Sequence, residues 1–214
     1  MAANRGAKRG VLLDALGTLV ELEPPAPLLA AELWRRWQLE VSAAAAEAAF
    51  AAEIGYYRAH QLEGRDAASL AALRRRCAVV LHAALPAAAR ERLEPDELLP
   101  AMLAALRFRA YPDVPAWLAV LRAAGLKLAV VSNWDVSLSE VLQRVGIAEL
   151  LDCVVTSAAV GAAKPDPAPF ERALECLGLR PEEVVHLGDS PELDLPGAEA
   201  AGIEAVLISR PGTR

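Results

Sequence analysis

Short apolar runs alternate with helical patterns, one run near the start of the chain and the rest in its C-terminal half. Each run is bounded by turn residues and is predominantly apolar, as strands buried on both faces of a parallel sheet are. We therefore predict five buried parallel strands at residues 11–13, 126–131, 153–155, 184–187 and 205–208.

The helical patterns between the later runs end at glycines. Gly125, Gly146, Gly178 and Gly202 each stand shortly before the next predicted strand. Glycine adopts the left-handed conformation that commonly terminates a helix. Strands that alternate with such helices predict an α/β fold with a doubly wound parallel sheet.

One long interval, residues 21–109, holds helical patterns and no convincing strand. Leu29, Leu33 and Trp37 form an apolar stripe at helical spacing, and Leu70, Leu73 and related positions form another. An insertion after the first strand of such a sheet is expected near the carboxyl ends of the strands, where these folds bind ligands. We predict a core built from residues 1–20 and 110–214 and an all-helical cap at residues 21–109.

Composition narrows the class of protein. The 214 residues fit one domain with a large insertion, and 55% hydrophobic residues with a mean hydropathy of +0.27 exclude a disordered chain. No stretch approaches the roughly 20 uncharged apolar residues of a membrane helix. The net charge of −6 disfavours nucleic-acid binding. We expect no nucleic-acid or membrane partner, and the oligomeric state stays open.

The three cysteines, Cys77, Cys153 and Cys176, are widely spaced. They form neither a paired disulfide framework nor a CxxC motif. Unpaired cysteines favour a reducing compartment, so we expect a cytoplasmic protein.

The residues after the first and second strands suit attack on an anionic substrate. Asp14 ends the first strand, and a carboxylate there can attack phosphorus or an activated carbon and form a covalent intermediate. Gly17 and Thr18 follow with a turn and a hydroxyl for a bound phosphate. Ser132 and Asn133 end the second strand and can hold the non-reacting oxygens of a phosphoryl or carboxylate group.

Charged residues follow the next two strands. Lys164 comes after the third strand, where its ammonium can offset charge between nucleophile and substrate. Asp189 ends the fourth strand, and Asp194 lies five residues further on. Together with Asp14, these carboxylates predict an oxygen-rich site of the kind that Mg²⁺ prefers.

Four segments in this order resemble the motifs of the haloacid dehalogenase-like hydrolase superfamily: Asp14-Ala-Leu-Gly-Thr, Ser132-Asn133, Lys164-Pro-Asp-Pro and Gly188-Asp-Ser-Pro-Glu-Leu-Asp194. The resemblance spans nearly the whole chain and includes a helical cap after the first motif. It implies a Rossmann-like sheet and Asp14 as the nucleophile, with Lys164 as the charge neutraliser. It further implies that Thr18, Ser132 and Asn133 hold the substrate, and that Asp14, the Leu16 carbonyl, Asp189 and Asp194 hold Mg²⁺.

The chain departs from the phosphatases of that superfamily at Leu16, where they carry a second Asp that protonates the leaving group. General acid–base catalysis contributes about 10²- to 10⁴-fold, so a phosphatase with Leu16 is expected to be slow or to need a good leaving group. His60 of the cap could act as the acid–base group in place of the missing Asp, although a histidine in such a helix more often lies at the protein surface. Dehalogenases of the superfamily also have a bulky residue at the position of Leu16. Arg58 of the cap resembles the arginine that receives the halide in those enzymes. An arginine in such a helix is, however, more commonly an exposed surface charge.

These observations support three hypotheses. The first is a cytoplasmic Mg²⁺-dependent phosphatase that acts on a small phosphorylated metabolite through an aspartyl-phosphate on Asp14. The second is a metal-independent 2-haloacid dehalogenase, favoured by Leu16 and opposed by Asp189 and Asp194. The third is a weak or catalytically silent member that binds a ligand. In each case the expected partner is a small anionic molecule.

Overall fold

A computed structural model describes residues 7–210, and a five-stranded parallel sheet is its central feature. In chain order the elements are β1 (Gly10–Leu13), β2 (Val20–Leu22), α1 (Pro25–Trp37), α2 (Ala43–His60), α3 (Ala67–Ala84), α4 (Ala87–Arg90), α5 (Pro95–Ala105), β3 (Phe108–Ala110), α6 (Val114–Ala123), β4 (Lys127–Ser132), α7 (Leu138–Arg144), β5 (Cys153–Thr156), α8 (Ser157–Val160), α9 (Ala168–Leu177), β6 (Val184–Gly188), α10 (Asp194–Ala200) and β7 (Glu204–Leu207). The described residues divide into a core unit, residues 7–21 and 109–210, and a helical unit, Leu22–Phe108.

The sheet of the core unit has the strand order β5-β4-β1-β6-β7. The central strand β1 is buried along its whole length and pairs in parallel with β4 on one side and β6 on the other. Five strands were predicted in this sheet, and the ends of all five agree with the observed strands to within one residue. The α/β class and the Rossmann-like parallel sheet are therefore confirmed.

The glycines predicted to end helices do so. Gly125, Gly146, Gly178 and Gly202 all have positive φ angles, between 62° and 80°. These angles lie in the left-handed region, which glycine enters without the steric penalty of a Cβ atom. Each glycine turns the chain from a helix toward the next segment of the sheet layer.

The helical unit contains α1 to α5 around its own apolar core. Two of its helices begin at capping side chains, because the hydroxyl of Ser42 accepts from the Ala45 amide and the carboxylate of Asp66 accepts from the Ser69 amide at 2.8 Å. Large side chains such as Phe50 fill the interior. None of the helices in residues 7–210 is both long and apolar enough to cross a membrane.

Two short strands correct the expectation that residues 21–109 hold no strand. β2 and β3 pair with each other in a separate two-stranded sheet, at the two places where the chain passes between the units. Each has three residues, too few for a hydrophobic period to be visible in the sequence.

The cysteine prediction is wrong for one pair. Cys153 of β5 and Cys176 of α9 form a disulfide, and Cys77 lies buried outside this pair. α9 packs against the edge of the sheet at β5, which brings two cysteines 23 positions apart to a Cα–Cα distance of 6.5 Å. That proximity comes from tertiary packing, so spacing along the chain did not reveal it. The cytoplasmic location stays a prediction.

Candidate active site

The carboxyl ends of neighbouring strands bring the predicted nucleophile and a hydroxyl together. Asp14 directly follows β1, and Ser132 ends the adjacent β4. The Ser132 hydroxyl donates a hydrogen bond to Oδ1 of Asp14 at 3.0 Å. Both side chains are buried, so this bond fixes the direction of the carboxylate.

Lys164 lies in the loop after α8, and its side chain reaches this strand edge. Only 4% of Lys164 is exposed, and its Nζ donates to Oδ1 of Asp14 and to Oδ1 of Asp194, each at 2.6 Å. Burial alone would lower the pKa of Lys164, but the two carboxylates outweigh burial and raise the pKa above its ordinary value. Lys164 is therefore a fixed positive charge between two acids.

Asp194 begins α10 and accepts three hydrogen bonds. Its Oδ1 accepts from Lys164 and from Nε2 of His186 at 2.9 Å, and its Oδ2 accepts from the Ser190 amide at 3.0 Å. Burial would raise the pKa of Asp194, but the His186 bond and the Lys164 charge hold it well below its ordinary value. Asp194 is thus a carboxylate whose direction is set from three sides.

Asp189 follows β6 and has the opposite electrostatic environment. Burial, followed by the negative charges of Asp14 and Asp194, raises the pKa of Asp189 to about 6. Its carboxylate lies against Gly17, where an added Cβ would stand 2.1 Å from Oδ2 of Asp189. Gly17 also has a φ of +84°, so two independent features favour glycine there.

Asp14, Asp189 and Asp194 form a set that fits a divalent cation. One oxygen from each carboxylate lies within 4.8 Å of the others. Three carboxylates with one lysine leave an excess of two negative charges when all are ionised, and the raised pKa of Asp189 reflects that excess. Oxygen ligands and this charge suit Mg²⁺. The role of the Leu16 carbonyl stays a prediction; Leu16 as a whole residue is 38% exposed.

The other predicted substrate-binding residues have different surroundings. Thr18 is 1% exposed, and its Oγ1 has no hydrogen-bond partner within the described residues. The amide of Asn133 bonds the main chain of Lys164. Arg58 and His60 lie in the helical unit at the end of α2; Arg58 is exposed, and Nδ1 of His60 is 2.8 Å from the Tyr56 carbonyl oxygen. Their substrate roles stay predictions.

Two residues outside the predicted site contact residues within it. His186 is fully buried, with an exposure of 0%, and its Nε2 bonds Oδ1 of Asp194. Arg210 was missed: its guanidinium donates to the Thr18 carbonyl and, in a two-point contact, to Asp113. Thr18 and Arg210 are 192 positions apart, so local sequence patterns carry no signal of the contact.

The fold and the convergence of these four motifs define the class of protein, and comparison with known proteins agrees. The family profile described as haloacid dehalogenase-like hydrolase matches residues 8–202. The chain belongs to this family, and the resemblance stated from the sequence is confirmed.

The relatives include different activities. The chain is 46% identical over 90 residues to haloacid dehalogenase-like hydrolase domain-containing protein 3 of Bos taurus, covering 42% of this chain and 36% of that protein. It is 41% identical over 105 residues to a phosphoserine phosphatase of Thermus thermophilus, covering 49% and 42%. A crystal structure of a defluorinating L-2-haloacid dehalogenase has a TM-score of 0.72 at 28% identity, covering 95% of this chain and 82% of that one. The matches to the two curated relatives thus span less than half of their length.

Proposed function

We propose that the protein is a Mg²⁺-dependent phosphatase that acts on a small phosphorylated metabolite in the cytoplasm through an aspartyl-phosphate on Asp14. The observation that carries the proposal is the contact of Lys164 with both Asp14 and Asp194, beside Asp189. The presence of Asp189 and Asp194 favours a metal-dependent phosphatase over a metal-independent dehalogenase. The phosphoserine phosphatase among the relatives supports the same class of reaction.

The contacts of Asp14 assign different work to its two oxygens. Ser132 and Lys164 both donate to Oδ1, which leaves Oδ2 as the oxygen we assign to attack on phosphorus. The new bond joins Oδ2 to phosphorus, and the bond from phosphorus to the leaving oxygen breaks with its electron pair on that oxygen. Water then cleaves the aspartyl-phosphate and regenerates Asp14.

The remaining charges stabilise the anionic substrate. Lys164 keeps a positive charge beside the attacking carboxylate, which reduces the repulsion between two anions. Asp189 and Asp194, with Asp14, would hold Mg²⁺, which supplies Lewis-acid stabilisation of the phosphoryl oxygens when bound. Because Leu16 cannot donate a proton, we propose that the enzyme turns over activated phosphates faster than alkyl phosphates.

A pre-steady-state assay tests the proposal. p-Nitrophenyl phosphate is mixed with wild type and with Asp14→Asn, each in Mg²⁺ and in EDTA, because p-nitrophenolate departs without a proton donor. We expect a Mg²⁺-dependent burst near one equivalent in wild type and no burst in Asp14→Asn. Mg²⁺-independent release, or an equal burst in the variant, contradicts the proposal.

Leu16 also favours a second candidate, a 2-haloacid dehalogenase, since a halide leaving group needs no proton. The structural similarity to the defluorinating dehalogenase supports it, and the retained Asp189 opposes it. Halide release from 2-chloropropionate in EDTA, without phosphatase activity, would establish this candidate in place of the first.

A further inference from the structure

Asn133 bonds both main-chain polar groups of Lys164. The Lys164 amide donates to Oδ1 of Asn133 at 2.7 Å, and Nδ2 of Asn133 donates to the Lys164 carbonyl oxygen at 3.0 Å. A carboxamide carries a donor and an acceptor side by side, so it can pair with one residue's N–H and C=O at once. An Asp side chain could accept but not donate here, and an Ala side chain could do neither.

This pair of bonds lies next to the contact that directs the nucleophile. Ser132, the residue before Asn133, donates to Asp14. The end of β4 therefore fixes Asp14 through one residue and the main chain of Lys164 through the next. Lys164 itself lies in a loop rather than in a strand, and its Nζ is 2.6 Å from Oδ1 of Asp14.

We propose that Asn133 is a positioning residue that acts through Lys164 and not a substrate-binding residue. Its amide holds the loop so that the Lys164 ammonium enters the buried space between Asp14 and Asp194. The kinetic part of this inference rests on the phosphatase proposal. The geometric part, that Asn133 holds Lys164 in place, can be tested without turnover.

Ser157 offers a matched control because it makes the same kind of bridge to a different residue. Its hydroxyl accepts from the Trp134 amide at 3.1 Å and donates to the Trp134 carbonyl oxygen at 3.2 Å. Ser157→Ala thus removes a buried side-chain bridge at the same end of the sheet and leaves Lys164 bonded to Asn133.

Lysine protection tests the geometry without any activity. The chain has three lysines, Lys8, Lys127 and Lys164, so reductive methylation with formaldehyde can be followed for each one by peptide mass spectrometry. The loss of two hydrogen bonds should raise the Lys164 rate at least about tenfold in Asn133→Ala. Lys8 and Lys127 should keep their wild-type rates, and Ser157→Ala should leave Lys164 protected.

The outcomes separate positioning from general unfolding. Faster modification of Lys127 as well as Lys164 means that Asn133→Ala is unfolded, and Asn133→Asp then decides, since its carboxylate still accepts from the Lys164 amide. An intermediate Lys164 rate in Asn133→Asp supports the proposal. The proposal is overturned if Lys164 stays fully protected in folded Asn133→Ala. It is also overturned if Lys164 loses as much protection in Ser157→Ala as in Asn133→Ala.

Kinetics distinguish positioning from substrate binding. We expect Asn133→Ala to lower kcat at least about tenfold and to change KM less than about threefold. In the Lys164→Ala background the same change should cost less than about twofold, because the residue through which it acts is gone. A raised KM with unchanged kcat, or full additivity with Lys164→Ala, refutes the assignment. If wild type turns over no phosphate ester, the proposed function fails, and lysine protection still decides the role of Asn133.

Discussion

Replacement of Lys164 by methionine tests the electrostatic account of the site most directly. The ammonium lies 2.6 Å from carboxylate oxygens of Asp14 and Asp194, and each attraction is worth about 6 kcal/mol at an effective dielectric constant of about 20. Burial of the charges offsets several kcal/mol per ion, and removal of one partner of a buried pair costs about 3–5 kcal/mol. We expect Lys164→Met to lower the free energy of unfolding by about this amount at pH 7.5 in EDTA.

The pH dependence of this loss has a definite sign. In wild type, the lowered pKa of Asp194 gives stability that is present above its ordinary value and is lost as the pH falls through the folded-state value. In Lys164→Met, Asp189 loses the lowering influence of Lys164, so its pKa, already raised to about 6 in wild type, rises further and proton binding stabilises the variant more than wild type as the pH falls. The difference between the two proteins should therefore shrink between pH 7.5 and about pH 4.5.

Urea unfolding with and without Mg²⁺ measures the effect, and Lys127→Met is the matched control. Lys127 is also a lysine of the core unit, but its Nζ donates to the Leu177 carbonyl and not to a carboxylate. Its replacement should cost less than about 1 kcal/mol. Mg²⁺ should reduce the stability difference between Lys164→Met and wild type but leave the difference between Lys127→Met and wild type unchanged. A loss below about 1 kcal/mol for Lys164→Met, or equal losses for both variants, would refute the reasoning.

Three further predictions concern other parts of the chain. Leu16→Asp should raise kcat for alkyl phosphates about 10²-fold or more by supplying the missing proton donor, with little change for p-nitrophenyl phosphate; equal gains for both esters, measured side by side, would contradict this. Burial raises the pKa of Glu53 in α2, against a hydrogen bond with Cys77, so the folded protein loses stability as the pH rises above the ordinary value of 4.5. Glu53→Gln should accordingly melt at a higher temperature than wild type at pH 8 and lose that advantage near pH 4.5; thermal melts at both values check it, and an unchanged difference would count against it. Gly17→Ala should weaken Mg²⁺ binding at least about tenfold in a titration of the melting temperature, because its Cβ would displace Asp189, and wild-type affinity would show that the contact yields.

The strands and helix ends could be predicted because their causes are local. A parallel strand buried on both faces needs a short apolar run, as in β1, and a left-handed helix end needs a residue such as Gly178. β2 and β3 depend on each other across the whole helical unit, and three residues give no period. The Cys153–Cys176 pair likewise depends on how α9 packs against the sheet.

The residues of the candidate site likewise divide into features that the sequence could predict and features that it could not. Polar residues at strand ends could be predicted to meet, because parallel strands place their carboxyl ends at one edge, and Asp14, Ser132 and Lys164 do meet there. The sequence could not say what each polar group bonds. It suggested a substrate contact for Asn133, whose amide bonds a loop 31 positions away.

The Cys153–Cys176 disulfide has a consequence for the loop that carries Lys164. The two cysteines stand on either side of Lys164 in the chain, so the bond closes a covalent ring that contains this lysine. Such a ring restricts the unfolded chain, and a closure of this length stabilises the folded state by about 3 kcal/mol in the chain-entropy treatment. The oxidised protein should therefore unfold at higher urea than the reduced protein, and coincident unfolding curves would contradict this. The redox conditions around the protein would then determine how readily the segment that carries Lys164 unfolds.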